Sequence, residues 1–156
     1  MDLQAAVKES LQLLYDDYLT SPGSLSYIGE IAEKHEIGKH QLGKYMQEEG
    51  YIKDQAFLPT DFRCRITLIG INEIDPNYIP DMESKIISTL GTLGGRQDAF
   101  EVLDLEPKDD VRIRDIVSYL ENKRMLENTM YGPQQIIIQL TLRGQQYYED
   151  NKPNWL

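Results

Sequence analysis

The sequence predicts an α+β chain in which one plan is written twice. Apolar residues recur at helical spacing early in each half, and late in each half the period changes to two. The chain also aligns with itself at an offset of 74, pairing residues 51–77 with 125–151 without a gap. The strongest match sets Ile66-Thr67-Leu68-Ile69-Gly70 against Leu140-Thr141-Leu142-Arg143-Gly144. At the same offset Pro59 meets Pro133, Tyr45 meets Tyr119, Ile37 meets Val111, Leu42 meets Ile116, Met46 meets Leu120 and Ile52 meets Leu126. The 156 residues therefore divide into repeat 1 over 1–76, repeat 2 over 77–151 and a C-terminal tail over 152–156.

In repeat 1, Val7, Leu11, Leu14 and Tyr18 step by four, three and four, with Leu3, Ala6 and Leu13 widening the stripe, which predicts an amphipathic helix ending before Thr20-Ser21-Pro22-Gly23-Ser24. A short second helix is expected from about Ser26 as its N-cap, with Ile28, Ile31 and Ala32 inward. Glu36-Ile37-Gly38 makes a turn. A third helix then buries Leu42, Tyr45 and Met46, and Gly50 supplies the left-handed residue that closes it. Tyr51-Ile52 enters a strand. From Gln55 the alternation places Phe62, Cys64 and Ile66 on one face and Arg63 and Arg65 on the other, with Pro59-Thr60-Asp61 turning a hairpin.

Repeat 2 follows this order with departures. Ile79, Met82, Ile86, Leu90 and Leu93 form its first stripe, and residues 91–95 the connection. Asp98-Ala99-Phe100-Glu101 has the form of a capping box. Pro107 falls where repeat 1 has Glu33, so the second helix should end early and the turn through Lys108-Asp109-Asp110 should be looser. The third helix buries Ile113, Ile116, Val117 and Leu120, and Arg124 stands where repeat 1 has Gly50.

The order helix, helix, turn, helix, hairpin is that of a winged helix. The run Ile28-x-x-Ile31-Ala32-x-x-His35-x-Ile37, continued by Leu42-x-x-Tyr45-Met46-x-x-Glu49-Gly50-Tyr51-Ile52, resembles the helix-turn-helix of bacterial winged-helix transcription regulators, and the closing Leu-Thr-x-x-Gly pattern is similar to theirs. The resemblance covers most of the chain in two copies. It implies two tandem winged-helix repeats, each of three helices and a β-hairpin wing, with the third helix in the major groove of duplex DNA and the wing on backbone or minor groove. On that basis the nucleic-acid-binding residues of repeat 1 are Lys39, His40, Gln41, Lys44 and Gln47 on the third helix and Arg63 and Arg65 on the wing. Arg112 and Arg114 extend the surface in repeat 2. The lysines and arginines would meet phosphates and the glutamines base edges.

Charge pulls the other way. Sixteen Lys and Arg against 26 Asp and Glu give a formal charge of -10, with 7 basic and 13 acidic residues in 1–76 and 9 and 13 in the remainder. Nonspecific affinity for nucleic acid comes from cation neutralisation, so neither half is a generic DNA coat. The wing of repeat 2 places Ile136, Ile138 and Leu140 inward and leaves Ile137 and Gln139 where Arg63 and Arg65 stand in repeat 1, with Tyr131 near the turn. An apolar outer face on a hairpin edge needs cover. Tyr131, Ile137 and Trp155 are accordingly protein-interface candidates. The alternative function is a protein-protein interaction adaptor that uses winged helices as packing modules without DNA binding, as in the acidic tandem winged-helix subunits of chromosome-condensing and membrane-sorting complexes. A third arrangement is a homodimer through the first helices or the Leu3, Ala6 and Leu13 stripe.

Nothing in the sequence identifies an enzyme, and no cofactor or metal is expected. His35 and His40 flank a turn, and Cys64 lies on the inward strand face, so zinc spacing is absent. Gly91-Thr92-Leu93-Gly94-Gly95-Arg96 lacks the Gly-Lys-Ser/Thr ending of a phosphate loop. Acidic pairs such as Asp16-Asp17, Glu48-Glu49 and Asp109-Asp110 sit at helix ends and turns, where they solvate or cap. A single Cys, no basic and apolar leader at the start and no run of 18 apolar residues lead to the expectation of a cytoplasmic protein without membrane contact. The expected partners are duplex DNA, a protein or a second copy of the chain.

Overall fold

The computed structural model describes residues 1–155 as two compact units, Met1–Pro76 and the residues from Asn77 onward. The fold is mixed α+β, with eight α-helices and two three-stranded antiparallel sheets among the described residues. In the first unit, α1 (Leu3–Thr20), β1 (Ser26–Tyr27), α2 (Gly29–Lys34), α3 (Lys39–Glu48), β2 (Ile52–Phe57), β3 (Phe62–Ile66) and α4 (Leu68–Ile74) follow one another. In the second the same order is kept by α5 (Tyr78–Leu93), β4 (Arg96–Asp98), α6 (Ala99–Leu103), α7 (Asp110–Asn122), β5 (Leu126–Tyr131), β6 (Ile136–Leu140) and α8 (Leu142–Trp155), with a 3-10 turn at Pro107–Asp109. The sheet orders are β1-β3-β2 and β4-β6-β5.

From the end of the third helix through the hairpin the two copies share one backbone hydrogen-bond register at the offset of 74. Ile52 pairs with Ile66 and Phe57 with Phe62, as Leu126 pairs with Leu140 and Tyr131 with Ile136. Each hairpin has an irregularity at the same place, between Lys53 and Ala56 and between Glu127 and Met130. It is made by Asp54 and Asn128, both at φ 54°, and these are the side chains that tolerate the left-handed region best after glycine.

The end of the third helix is closed in the same way twice. Gly50 (φ 78°) and Arg124 (φ 62°) both turn left-handed, and the following amides of Tyr51 and Met125 donate back to Met46 and Leu120. Arg124 thus adopts the conformation that Gly50 takes at no steric cost, against a penalty of about 1–2 kcal/mol. Thr67 and Thr141 then fasten the closure. Their hydroxyls donate to the carbonyls of Gly50 and Arg124, each at 2.6 Å, and accept from the amides of Gly70 and Gly144 at 3.1 and 2.9 Å, capping α4 and α8. A Cβ on Gly70 would lie 2.5 Å from the Tyr51 carbonyl oxygen, and one on Gly144 would collide with the Met125 carbonyl oxygen. The Leu-Thr-x-x-Gly pattern is therefore a backbone lock.

The cores follow the alternation. Phe62, Cys64 and Ile66 are buried beneath Leu11, Leu14, Ile28, Leu42, Met46 and Ile71, and Ile136, Ile138 and Leu140 beneath Ile86, Leu90, Phe100, Ile113, Ile116 and Leu120. Burial pushes the Cys64 thiol up to about 12, which leaves it an inert core group. A carboxylate ties the second helix to the central strand in each unit, from opposite sides. Asp61 in the hairpin accepts from the amides of Gly29 and Phe62 at 3.0 and 2.7 Å. Asp98, the N-cap of α6, accepts from those of Phe100 and Ile136 at 3.1 and 3.2 Å.

Several expectations are corrected. Ser26 is not a helix cap but part of β1, where it pairs with Cys64 and its hydroxyl donates to Asp17; α2 starts after Ile28 with Asp61 serving its first amide. A fourth helix closes each unit, and α8 carries the supposed tail, continuing through Pro153 to Trp155. Pro153 has no amide to donate to the Glu149 carbonyl, so α8 loses one backbone bond in its last turns. Residues 91–93 belong to the last turn of α5, so Leu93 is exposed, and the buried stripe is Tyr78, Met82, Ile86, Ile87 and Leu90. The second helix of repeat 2 does end early, at Leu103 with Asp104 left-handed, but the turn after it is not loose: Pro107–Asp109 is a 3-10 turn and Asp110 already begins α7. Ala6 is wholly buried, so it cannot share an external stripe with half-buried Leu3 and exposed Leu13. Ile137 lies on the central strand of its sheet, so it is not on an edge.

Glu9 of α1 holds the end of α2 by accepting from Lys34 and contacting His35 Nε2, each at 2.7 Å. The Lys34 ammonium and then the His35 imidazole hold its carboxyl below the ordinary 4.5. A carboxyl depressed on folding contributes stability above its unfolded value and loses it as pH falls through the folded value. Thermal melts of the parent chain and Glu9→Gln should differ at about pH 6 and converge toward about pH 3. A constant difference across that range would contradict the clasp.

Candidate nucleic-acid interface

The α3 helix turns Leu42, Gly43 and Met46 into the core and leaves His40, Gln41, Lys44 and Gln47 exposed, with Lys39 half-buried at its first position. His40, Lys44 and Gln47 are spaced four and three apart and share one stripe, with Gln41 beside it. Among the described residues Lys39 and Lys44 make no ion pair. Lys39 borders a hollow of about 490 Å³ whose walls include Glu30, Glu33 and Asp61. Those carboxylates weaken its pull on a phosphate, and their gathering beside Lys39 is not visible in the sequence because two lie on α2 and the third in the hairpin turn.

His40 is not free to read a base. Its Nε2 lies 2.9 Å from the Leu58 carbonyl and its ring meets Phe57 edge-on at 5.3 Å, so it ties α3 to the hairpin tip. The second unit repeats the tie at the same offset with another residue type. Arg114 stands 5.1 Å over the Tyr131 ring and reaches the Gly132 carbonyl at 3.5 Å, while its Nε donates to Asp110 at 2.7 Å. Arg114 is thus engaged on three sides. Arg112 is more deeply committed, with its side chain only 14% exposed, its Nε donating to the Tyr78 hydroxyl at 3.2 Å and Asp109 3.8 Å away.

Arg63 and Arg65 alternate with the buried residues of β3, so they lie on the sheet face turned away from the helices and do not join the α3 stripe. Arg65 is paired with Asp54, whose carboxylate the bulge brings alongside at 2.9 Å from Nε. Arg63 sits between Tyr27 of β1 and Ala56 of β2, with its Nε buried and without a hydrogen-bond partner. The nine candidates therefore fall into separate places. One is a stripe on α3, one is the outer sheet face of the first unit, and two arginines serve the second unit's own packing.

The protein-interface candidates also separate. Tyr131 is 43% exposed at the hairpin end, with its hydroxyl bonded to Glu121; burial first and that bond second push its phenol above the ordinary 10.0. Ile137 is half-buried, with Met130 beside it across the strand and Asp98 on its other flank. Trp155 packs on its own helix, 6.0 and 6.1 Å from the rings of Tyr147 and Tyr148. Among the described residues no group of three or more His, Cys, Asp and Glu side chains could hold a metal ion, and no helix is long and apolar enough to cross a membrane. Comparison of the chain with protein-family models, with curated proteins and with solved structures finds no match.

Proposed function

We propose that the chain is a non-enzymatic tandem winged-helix protein of the transcription-regulator type, which meets duplex DNA through α3 of the first unit. The observation that carries this reading is the exposed α3 stripe, where Lys44, Gln41 and Gln47 project beside Lys39 and neither lysine is held by a carboxylate in an ion pair. Helix, strand, helix, helix and hairpin in each unit support the winged-helix part of the reading. The lysines would hold phosphates and the glutamine amides would meet base edges. The second unit contributes little cation to such a contact, because Arg112 and Arg114 are engaged inside it. Anisotropy with a generic duplex should give binding whose log affinity falls with log salt at a slope of about −2, as for two neutralised phosphates. Replacing both Lys39 and Lys44 by Gln should nearly flatten it. No binding at about 50 mM salt would reject the reading for generic duplex.

A second reading, an interaction adaptor without DNA binding, is favoured by one feature. On the outer sheet face of the second unit the cross-strand pair Met130–Ile137 is apolar, and Met130 is 59% exposed. The corresponding pair in the first unit is Ala56–Arg63. Ile137→Asp should dissociate a dimer or partner complex while the chain keeps its melting transition. An assembly that sediments as before would remove that face from consideration.

A further inference from the structure

We propose that the cleft between the last turn of α5 and the C-terminal turns of α8 binds a small planar aromatic carboxylate. The α4 and α8 helices hold the same place in the plan and open on the same threonine cap, yet α4 has 7 residues and α8 has 14. The added turns carry Lys152 and Trp155, and with Tyr148 they face Ser88, Thr92 and Leu93 of α5 across a space of about 290 Å³. That volume is at the small end of small-molecule sites, roughly 300–1,000 Å³. The first unit has no counterpart to these turns, and the plan closes without them.

The lining selects the ligand. The Tyr148 and Trp155 rings lie 6.1 Å apart at 35°, and Leu93 beside them is 63% exposed, so a flat ring entering the cleft gains both stacking and apolar burial. Lys152 is the cation of the lining. Its contact with Glu149, 3.4 Å and between half-exposed side chains, is of a kind worth little, so the ammonium can exchange it for a ligand carboxylate. Two hydroxyls can take up the remaining carboxylate oxygen. Thr92 Oγ1 is 3.2 Å from the Tyr148 hydroxyl, and Ser88 Oγ makes only a 3.4 Å bond to a carbonyl within its own helix. This assignment does not rest on nucleic-acid binding.

Trp155 is the only tryptophan, so one indole N–H signal in a proton–nitrogen correlation spectrum reports the cleft. Titrating the full chain with 2-naphthoate should move that signal saturably with half-saturation below about 1 mM. The uncharged 2-naphthylmethanol should bind about fivefold more weakly. Lys152→Gln should bring the acid down to the alcohol's affinity, whereas Lys108→Gln, outside the cleft, should leave it unchanged. The absence of saturable movement at about 5 mM ligand would overturn the site. Equal affinity for acid and alcohol, or indifference to Lys152→Gln, would overturn the carboxylate assignment.

Discussion

Each unit depends on a hydroxyl that serves two backbones at once. Thr67 and Thr141 donate to the carbonyl of the left-handed residue ending the third helix and, with the other side of the same oxygen, accept from the amide of the third residue of the closing helix. Their own amides donate to Tyr51 and Met125, so the strand leaving the third helix, the end of the central strand and the start of the last helix are pinned within one hydrogen-bonded cluster. The glycine three residues on is what lets the helix approach that closely. Without this lock the hairpin could not hold Phe62, Cys64 and Ile66, or Ile136, Ile138 and Leu140, over the helices at a fixed register.

This lock was legible in the sequence as the best-matched segment of the repeat, because it depends on side-chain type at fixed spacing. The buried faces of α1, α3 and α7 were legible for the same reason, being set by periodicity. What could not be read depends on residues distant in sequence. Ser26 has the chemistry of a helix cap, yet a strand bond to Cys64 and an acceptor on Asp17 claim it, while Asp61, 32 positions beyond Gly29, serves the helix instead. The two-residue and three-residue strands β1 and β4 are too short for any alternation to reveal. Arg124 shows the converse. Its left-handed turn is forced by the surrounding bonds although its residue type argues against it.

The candidate site was legible as residue types but not as a surface. Strand alternation correctly separates Arg63 and Arg65 from the core, and the same alternation puts them on a different face from Lys39 and Lys44. Four of the basic side chains on which a nucleic-acid contact would draw are engaged in ties within the fold: His40 and Arg114 hold their hairpins, Arg112 braces Tyr78, and Arg65 neutralises the bulge carboxylate of Asp54. The net charge of -10 thus acts locally as well as globally. Lys34, Arg65, Arg112, Arg114, Lys123 and Lys152 each have a carboxylate to give up before any partner arrives. The proposed function therefore rests on a small α3 stripe, and the second unit is better equipped for apolar contacts than for phosphate.

The central structural claim, that two copies of one backbone lock hold the two units, has a test whose sign is diagnostic. An Ala in place of a helical Gly ordinarily stabilises by about 0.5–1 kcal/mol. Gly70→Ala and Gly144→Ala should instead destabilise by about 1–3 kcal/mol, because the added methyl meets a backbone carbonyl that cannot swing aside. Gly23→Ala, whose methyl would meet nothing within 4 Å, is the control. Denaturant unfolding can be followed in the first unit by the reactivity of the buried thiol of Cys64 and in the second by the fluorescence of Trp155. A midpoint lowered at the matching probe in both lock variants, and unchanged in the control, is the predicted result; a lock variant as stable as the parent would contradict the account.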